Sequence, residues 1–166
     1  MIQPIAIAAM LLAPAAAPAK LPCAERAGVR DATMMLAPHI IEAVAGKCRA
    51  HLPATAFLAS RSSELVARMK TESAGRADSA AAAIRVIAGE KLPEIKDNDA
   101  LMTVGGQLGG GMIAENLKPE MCPEMSNLIE SFAPLPSENL GRALVSVLAL
   151  AKVGEKGRGP AICPNG

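Results

Sequence analysis

The 166-residue sequence has no tryptophan, no tyrosine and only two phenylalanines. Recognition by stacking on bases or sugar rings is therefore essentially closed to it. Strong charge of either sign is missing too, since 17 Lys and Arg stand against 16 Asp and Glu for a formal net charge of +1. That balance lacks the basic excess of a nucleic-acid binder, and no nucleic-acid partner is expected. With 51% apolar residues the chain also lies outside the disordered class. No C-x-x-C occurs, which removes a thioredoxin-like redox motif, a zinc knuckle and c-type haem attachment. G-x-S-x-G, S-x-x-K and H-E-x-x-H are absent as well. No catalytic constellation is legible, so the chain reads as a non-enzyme for which no cofactor is expected.

What is present starts at the N-terminus. Residues 1–19 carry no charged side chain, Ile5 to Ala13 is an apolar run, and Ala17-Pro18-Ala19 supplies small residues before a cut. This pattern predicts a secretory signal peptide cleaved after Ala19, although the segment lacks the usual basic residue near its start. Removing 19 of the 166 residues leaves 147, read as one helical domain over 20–166 with a Gly- and Pro-rich C-terminal tail. A retained membrane anchor fits poorly, because the stretch is short of ~20 apolar residues and holds Pro4, Pro14 and Pro18. The expected location is the bacterial periplasm or outside the cell, with no membrane association after cleavage.

Cys23, Cys48, Cys122 and Cys163 all lie in the mature part, and an even number in an exported chain reads as two disulfides. A helical pair joined at Pro134-Leu135-Pro136 would bring Cys122 towards Cys163, which leaves Cys23 for Cys48. A single straight helix between Cys23 and Cys48 forbids that second bridge, at ~1.5 Å of rise per residue against the ~6 Å that a disulfide tolerates. The nested pattern, Cys23 with Cys163 and Cys48 with Cys122, therefore stays open beside the first.

The fold class is all-α, an antiparallel bundle of five to seven helices, because no run alternates strictly. Val29, Leu36, Ile40 and Val44 mark one helix from about Ala24 to Ala45, which Pro38 is expected to kink or divide. A surface helix is expected after Pro53, with Leu58, Leu65 and Met69 on one face and a Glu64–Arg68 pair. Ala80 to Ala88 follows, with Asp78 or Ser79 as its cap, then a linker from Lys91 to Asp97. Asp97-Asn98-Asp99 resembles the start of a calcium loop, but Leu101 and Met102 occupy the fifth and sixth positions; a helix cap fits better. The C-terminal helix after Pro136-Ser137, with an inner stripe of Leu140, Ala143, Leu144, Val147, Leu148 and Ala151, is expected to be central.

Five glycines fall within the nine residues 104–112. On a helix each should cost ~1 kcal/mol relative to alanine, so something must compensate. Gly105 and Gly109, like Gly106 and Gly110, are four apart, a spacing that admits another backbone. Tight core packing, a hinge and a binding groove are the three readings, and the four glycines are the candidate groove. No metal site is expected, and the weak candidates for copper(I) are Met35, His39 and Glu42 together with Met121 and Met125. Methionine as filler in an aromatic-poor core accounts for the same residues. His51 reads as a surface residue at a helix end.

The function expected first is a non-catalytic protein-interaction, inhibitor or chaperone-like module. The alternative is a small-ligand or copper carrier using an apolar pocket between helices or the Met/His cluster.

Overall fold

The computed structural model describes residues 23–89, Leu92, 94–150 and 162–163. The predicted signal segment, part of the Lys91-to-Asp97 linker, Ala151 and most of the tail lie outside these residues. Seven α-helices make up most of what is described: α1 (Arg26–Cys48), α2 (Phe57–Ser60), α3 (Ser62–Glu72), α4 (Ala77–Ala88), α5 (Asn98–Asn116), α6 (Cys122–Phe132) and α7 (Ser137–Leu150). Single 3-10 turns, Arg49–His51 and Pro119–Met121, follow α1 and precede α6. The described residues are all-α, and extended pairing among them is confined to one parallel bridge between Ala24 and Ile162. None of their helices is long and apolar enough to cross a membrane.

The central element is α1, against which α3, α4, α5 and α7 all pack. Pro38 does not divide it; the helix runs unbroken through a buried proline. Proline removes one amide donor and costs a helix interior ~3 kcal/mol, so packing on several sides of α1 must hold this stretch helical. Partners meet in reverse order along α4, where Asp31 pairs with Arg76 just before the helix and Gly28 meets Ser79 and Ala83, while Glu42 pairs with Lys70 on α3 and Arg30 with Glu138 on α7. By contrast α5 runs in the same sense as α1: Leu36, His39 and Ala43 meet Gly105, Gly106 and Gly110 in that order.

The uninterrupted α1 also decides the disulfides. Its 23 residues hold Cys23 and Cys48 ~30 Å apart at 1.5 Å per residue, so a bridge between those two is geometrically closed. The nested pattern is the one formed: Cys23 bonds Cys163, Cys48 bonds Cys122, and no described cysteine is free. The first bridge sits beside the Cys163 amide's hydrogen bond to the Ala24 carbonyl (3.0 Å) and ties together the two ends of the described chain. The second is fully buried among Ile41, Val44, Phe57, Leu58, Leu65 and Met69.

Small side chains set the helix spacing. A Cβ on Gly28 would lie 2.8 Å from the Ser79 carbonyl oxygen and 2.9 Å from the Ala83 Cβ, so α4 approaches α1 almost backbone to backbone. Ala80 and Ala81 are completely buried there, as the alanine run foreshadows. Gly141 does the same for α7, where a Cβ would meet Arg30 Cγ at 2.9 Å. This contact corrects the expectation of a central C-terminal helix. On α7 it is Ser137, Gly141 and Val145 that are buried, while Leu144, Val147 and Leu150 face outward. A helix apolar all round does not reveal which stripe is inside, and here its smallest residue marks the contact.

The segment after Pro53 is two helices broken at Arg61; Leu58, Leu65 and Met69 are buried on one face, while Glu64, Ala67, Arg68, Lys70 and Thr71 leave the other face of α3 on the surface. The ion pairs there are Arg61–Glu64 and Arg68–Glu72, both 3.6 Å, in place of the expected Glu64–Arg68. The start of α4 is capped by neither Asp78 nor Ser79; Arg76 precedes the helix and makes no side-chain cap. Gly89 ends it at φ +56°, a conformation that favours glycine, with its amide bonded to the Arg85 carbonyl.

Candidate functional site

The glycine-rich helix α5 has two unlike sides. Asp97 caps it, accepting a hydrogen bond from the Ala100 amide at 3.1 Å. Asn98 accepts from Arg85 and donates to Asp78, both at 2.7 Å, which clamps the start of α5 to α4. Two of the three residues of the Asp97-Asn98-Asp99 cluster are thus engaged in capping and inter-helix bonds, and Asp99 lies in the first turn of α5.

On the inner side, a Cβ on Gly106 would lie 2.6 Å from His39 Cδ2 and 2.9 Å from His39 Cβ. On Gly110 it would lie 2.9 Å from the His39 carbonyl oxygen and 3.2 Å from Ile40 Cα. The α1 backbone beside Gly110 cannot swing aside, and the His39 Cβ beside Gly106 is fixed to that backbone, so these two positions accept only glycine if the contact is to persist. Gly106 and Gly110 therefore do not line an open groove, because α1 fills the space beside them.

On the outer side the picture reverses. Gly109 and Gly111 have nothing within 4 Å of a would-be Cβ, and Gly105 has only Leu36 Cδ2 at an ordinary 3.7 Å. Among the described residues nothing requires glycine at these three positions, and each weakens the helix by ~1 kcal/mol. Next to them Val104, Leu108 and Met112 recur every four residues as one exposed stripe, with Leu108 65% and Met112 67% accessible. The helix carries no charged residue between Asp99 and Glu115. Exposed helix faces usually carry Lys, Arg or Glu; this one offers flat backbone and aliphatic side chains.

The other candidates are dispersed. His39 Nδ1 lies 3.5 Å from Glu42, and Glu42 is held by Lys70 at 2.7 Å. Met35 packs with Leu101 and Met102, Met125 packs beside the Cys48–Cys122 bridge, and Met121 is exposed. The five candidate copper ligands are thus split between separate clusters. Among the described residues no group of three or more His, Cys, Asp or Glu is placed to hold a metal. His51 is exposed at the end of the 3-10 turn after α1. A cleft of about 550 Å³ between α3 and the end of α6 has a mixed lining, with Arg61, Glu64, Arg68 and Glu130 beside Phe57, Leu65, Ala133 and Pro134, and is not the purely apolar pocket expected.

One polar network escaped the sequence reading. Asp31, 6% exposed, accepts from Arg76 at 2.9 Å and from Arg30 at 3.2 Å. Glu138 joins it, 3.1 Å from Arg142 and 3.6 Å from Arg30. Beside it the Glu72 carboxylate accepts from the Ser137 amide at 2.8 Å, close to a buried Ser137 hydroxyl that makes no hydrogen bond of its own among the described residues. The Ser137 hydroxyl and amide, with a smaller contribution from Arg68, outweigh partial burial and hold Glu72 below the usual carboxylate range. The arrangement anchors α7 to α1, α3 and α4. Arg30 and Asp31 are adjacent in sequence, and no periodic signal distinguishes such a buried pair from a solvated one.

No protein-family model, curated protein or solved structure matches this chain.

Proposed function

We propose that the chain is an exported, non-catalytic interaction module that binds a protein partner through the outer face of α5. The observation that carries the reading is the charge-free stripe of Val104, Leu108 and Met112, bordered by glycines that no contact among the described residues requires. Flat glycine backbone flanked by exposed aliphatics suits close approach by an apolar helix or strand of a partner. Export agrees with two formed disulfides, which persist in oxidising compartments, and with the signal-like pattern of residues 1–19. The stapled scaffold would keep that face rigid, lowering the entropy lost on binding.

The reading is tested by placing a photo-crosslinking amino acid at Leu108, and for comparison at exposed Thr71 on α3, in the protein expressed in its own host. The Leu108 position should give one discrete adduct to a second polypeptide, and Met112→Lys should abolish it while leaving thermal stability unchanged. Equal adduct patterns at both positions, or none at Leu108, would refute the proposal. An adduct of twice the chain's own mass would make the partner a second copy.

A further inference from the structure

The two disulfides differ in what surrounds them. Cys48 and Cys122 have no exposed surface, and their bridge lies in the core shared by α1, α2, α3 and α6. Cys23 and Cys163 are both only half-buried. Beside them a smaller apolar cluster joins three helices: Val29 of α1, Ala83 and Val86 of α4, and Val145 and Leu148 of α7, with Ala24 fully buried among them. Ile162, itself half-buried, packs against this cluster. Among the described residues, two things fasten Ile162 and Cys163 there. One is the parallel bridge to Ala24, with its single hydrogen bond from the Cys163 amide to the Ala24 carbonyl at 3.0 Å; the other is the disulfide.

We propose that Cys23–Cys163 is a reducible clasp that seats Ile162 on this aliphatic socket, and that its reduction uncovers the socket while Cys48–Cys122 stays closed and the helices stay folded. A thiolate must reach a disulfide sulfur to attack it, so an accessible bridge exchanges directly and a buried one waits for unfolding. The reductant is a dithiol. One of its thiolates attacks the sulfur of Cys23 or Cys163, forming a mixed disulfide and expelling the other cysteine as a thiolate that takes up a proton. The second thiol of the reductant loses its proton and attacks the mixed disulfide, so the dithiol leaves as a disulfide and the protein has gained two electrons and two protons. One backbone hydrogen bond and one half-buried side chain then oppose the entropy gained by releasing residues 162 and 163.

The oxidised protein is treated with graded dithiothreitol, trapped by alkylation and mapped by mass spectrometry. Far-UV circular dichroism, and methyl NMR with a soluble paramagnetic agent, are recorded on the same samples. Cys23 and Cys163 should be alkylated roughly a hundredfold faster than Cys48 and Cys122, or more, because a buried sulfur is reached only in a rare opened population. In that half-reduced form the helical signal should persist, while the methyls of Val145, 4% exposed in the oxidised protein, broaden. Reoxidation should protect them again, and replacing Cys23 and Cys163 together by serine should broaden them without reductant. The half-reduced parent carries the test even where the serine variant fails to fold. Loss of both bridges at one rate, or of Cys48–Cys122 first, would overturn the clasp, and selective reduction that left Val145 protected would overturn the uncovering of the socket.

Discussion

Alanine at Gly109 and at the adjacent Gly110 should change stability in opposite directions. Both replacements remove helix-weakening glycine from α5, a gain of ~1 kcal/mol in an exposed helix interior. At Gly109 the new methyl meets nothing within 4 Å, so the gain should survive. At Gly110 the methyl falls 2.9 Å from the His39 carbonyl oxygen, 3.1 Å from the Ala43 Cβ and 3.2 Å from Ile40 Cα. None of these is the end of a flexible side chain, so α5 must lift off α1, and overpacking of this kind costs ~1–3 kcal/mol before the propensity gain is subtracted. The two variants should differ by about 1–3 kcal/mol, with Gly109→Ala above the parent and Gly110→Ala below it. For a chain of this size that separation is roughly 2–12 °C in Tm. Because the protein has no Trp or Tyr, the assay is urea and thermal unfolding followed by far-UV circular dichroism. If both variants were stabilised, or if Gly109→Ala were the weaker, the reasoning about close approach would be wrong.

Asp31→Ala should cost about 2–4 kcal/mol, because it strips a buried carboxylate from Arg30 and Arg76 and leaves both cations without their main partner; a loss under 0.5 kcal/mol in urea unfolding would show the network to be solvated. Glu72 has its pKa depressed on folding, so its stabilisation is fully present above the unfolded value of about 4.5 and fades as pH falls through the lower folded value. The stability difference between the parent and Glu72→Gln should therefore shrink as pH drops below about 4.5, and a difference that grew with acid would contradict the assignment. Replacing both Cys48 and Cys122 by alanine opens a loop spanning 74 positions, and should lower stability by about 4 kcal/mol on the loop-closure model. Peptide mapping without reduction should recover that pair linked, and Cys23 linked to Cys163.

The parts of this fold legible in the sequence are those set by local chemistry. Asp97 or Asn98 reads as a cap because a side-chain oxygen before an apolar run has unpaired amides to accept from, and Asp97 is the one that does so; Pro134-Leu135-Pro136 reads as a break because proline ends helices. The small face at Ala80 to Ala83 likewise announces close packing. What failed depends on long-range choices. Pro38 is tolerated because helices around α1 hold it, which no window containing Pro38 reveals. Among the five glycines the sequence cannot say which pair faces a neighbour. Spacing treats Gly105 with Gly109 and Gly106 with Gly110 alike, whereas His39 and Ile40 distinguish them. The buried Asp31 was hidden in a string of charges, and the disulfide pairing followed only once α1 proved unbroken.

The account turns on α5 having one side closed against α1 and the other open. Methyl NMR of the methionines in the presence of a soluble paramagnetic agent measures this directly, because Met102 is 2% accessible and Met112 67% accessible on the same helix. Met112 should broaden strongly while Met102, together with buried Met34 and Met69, stays sharp. Equal broadening of Met102 and Met112, or protection of both, would contradict the two-sided helix.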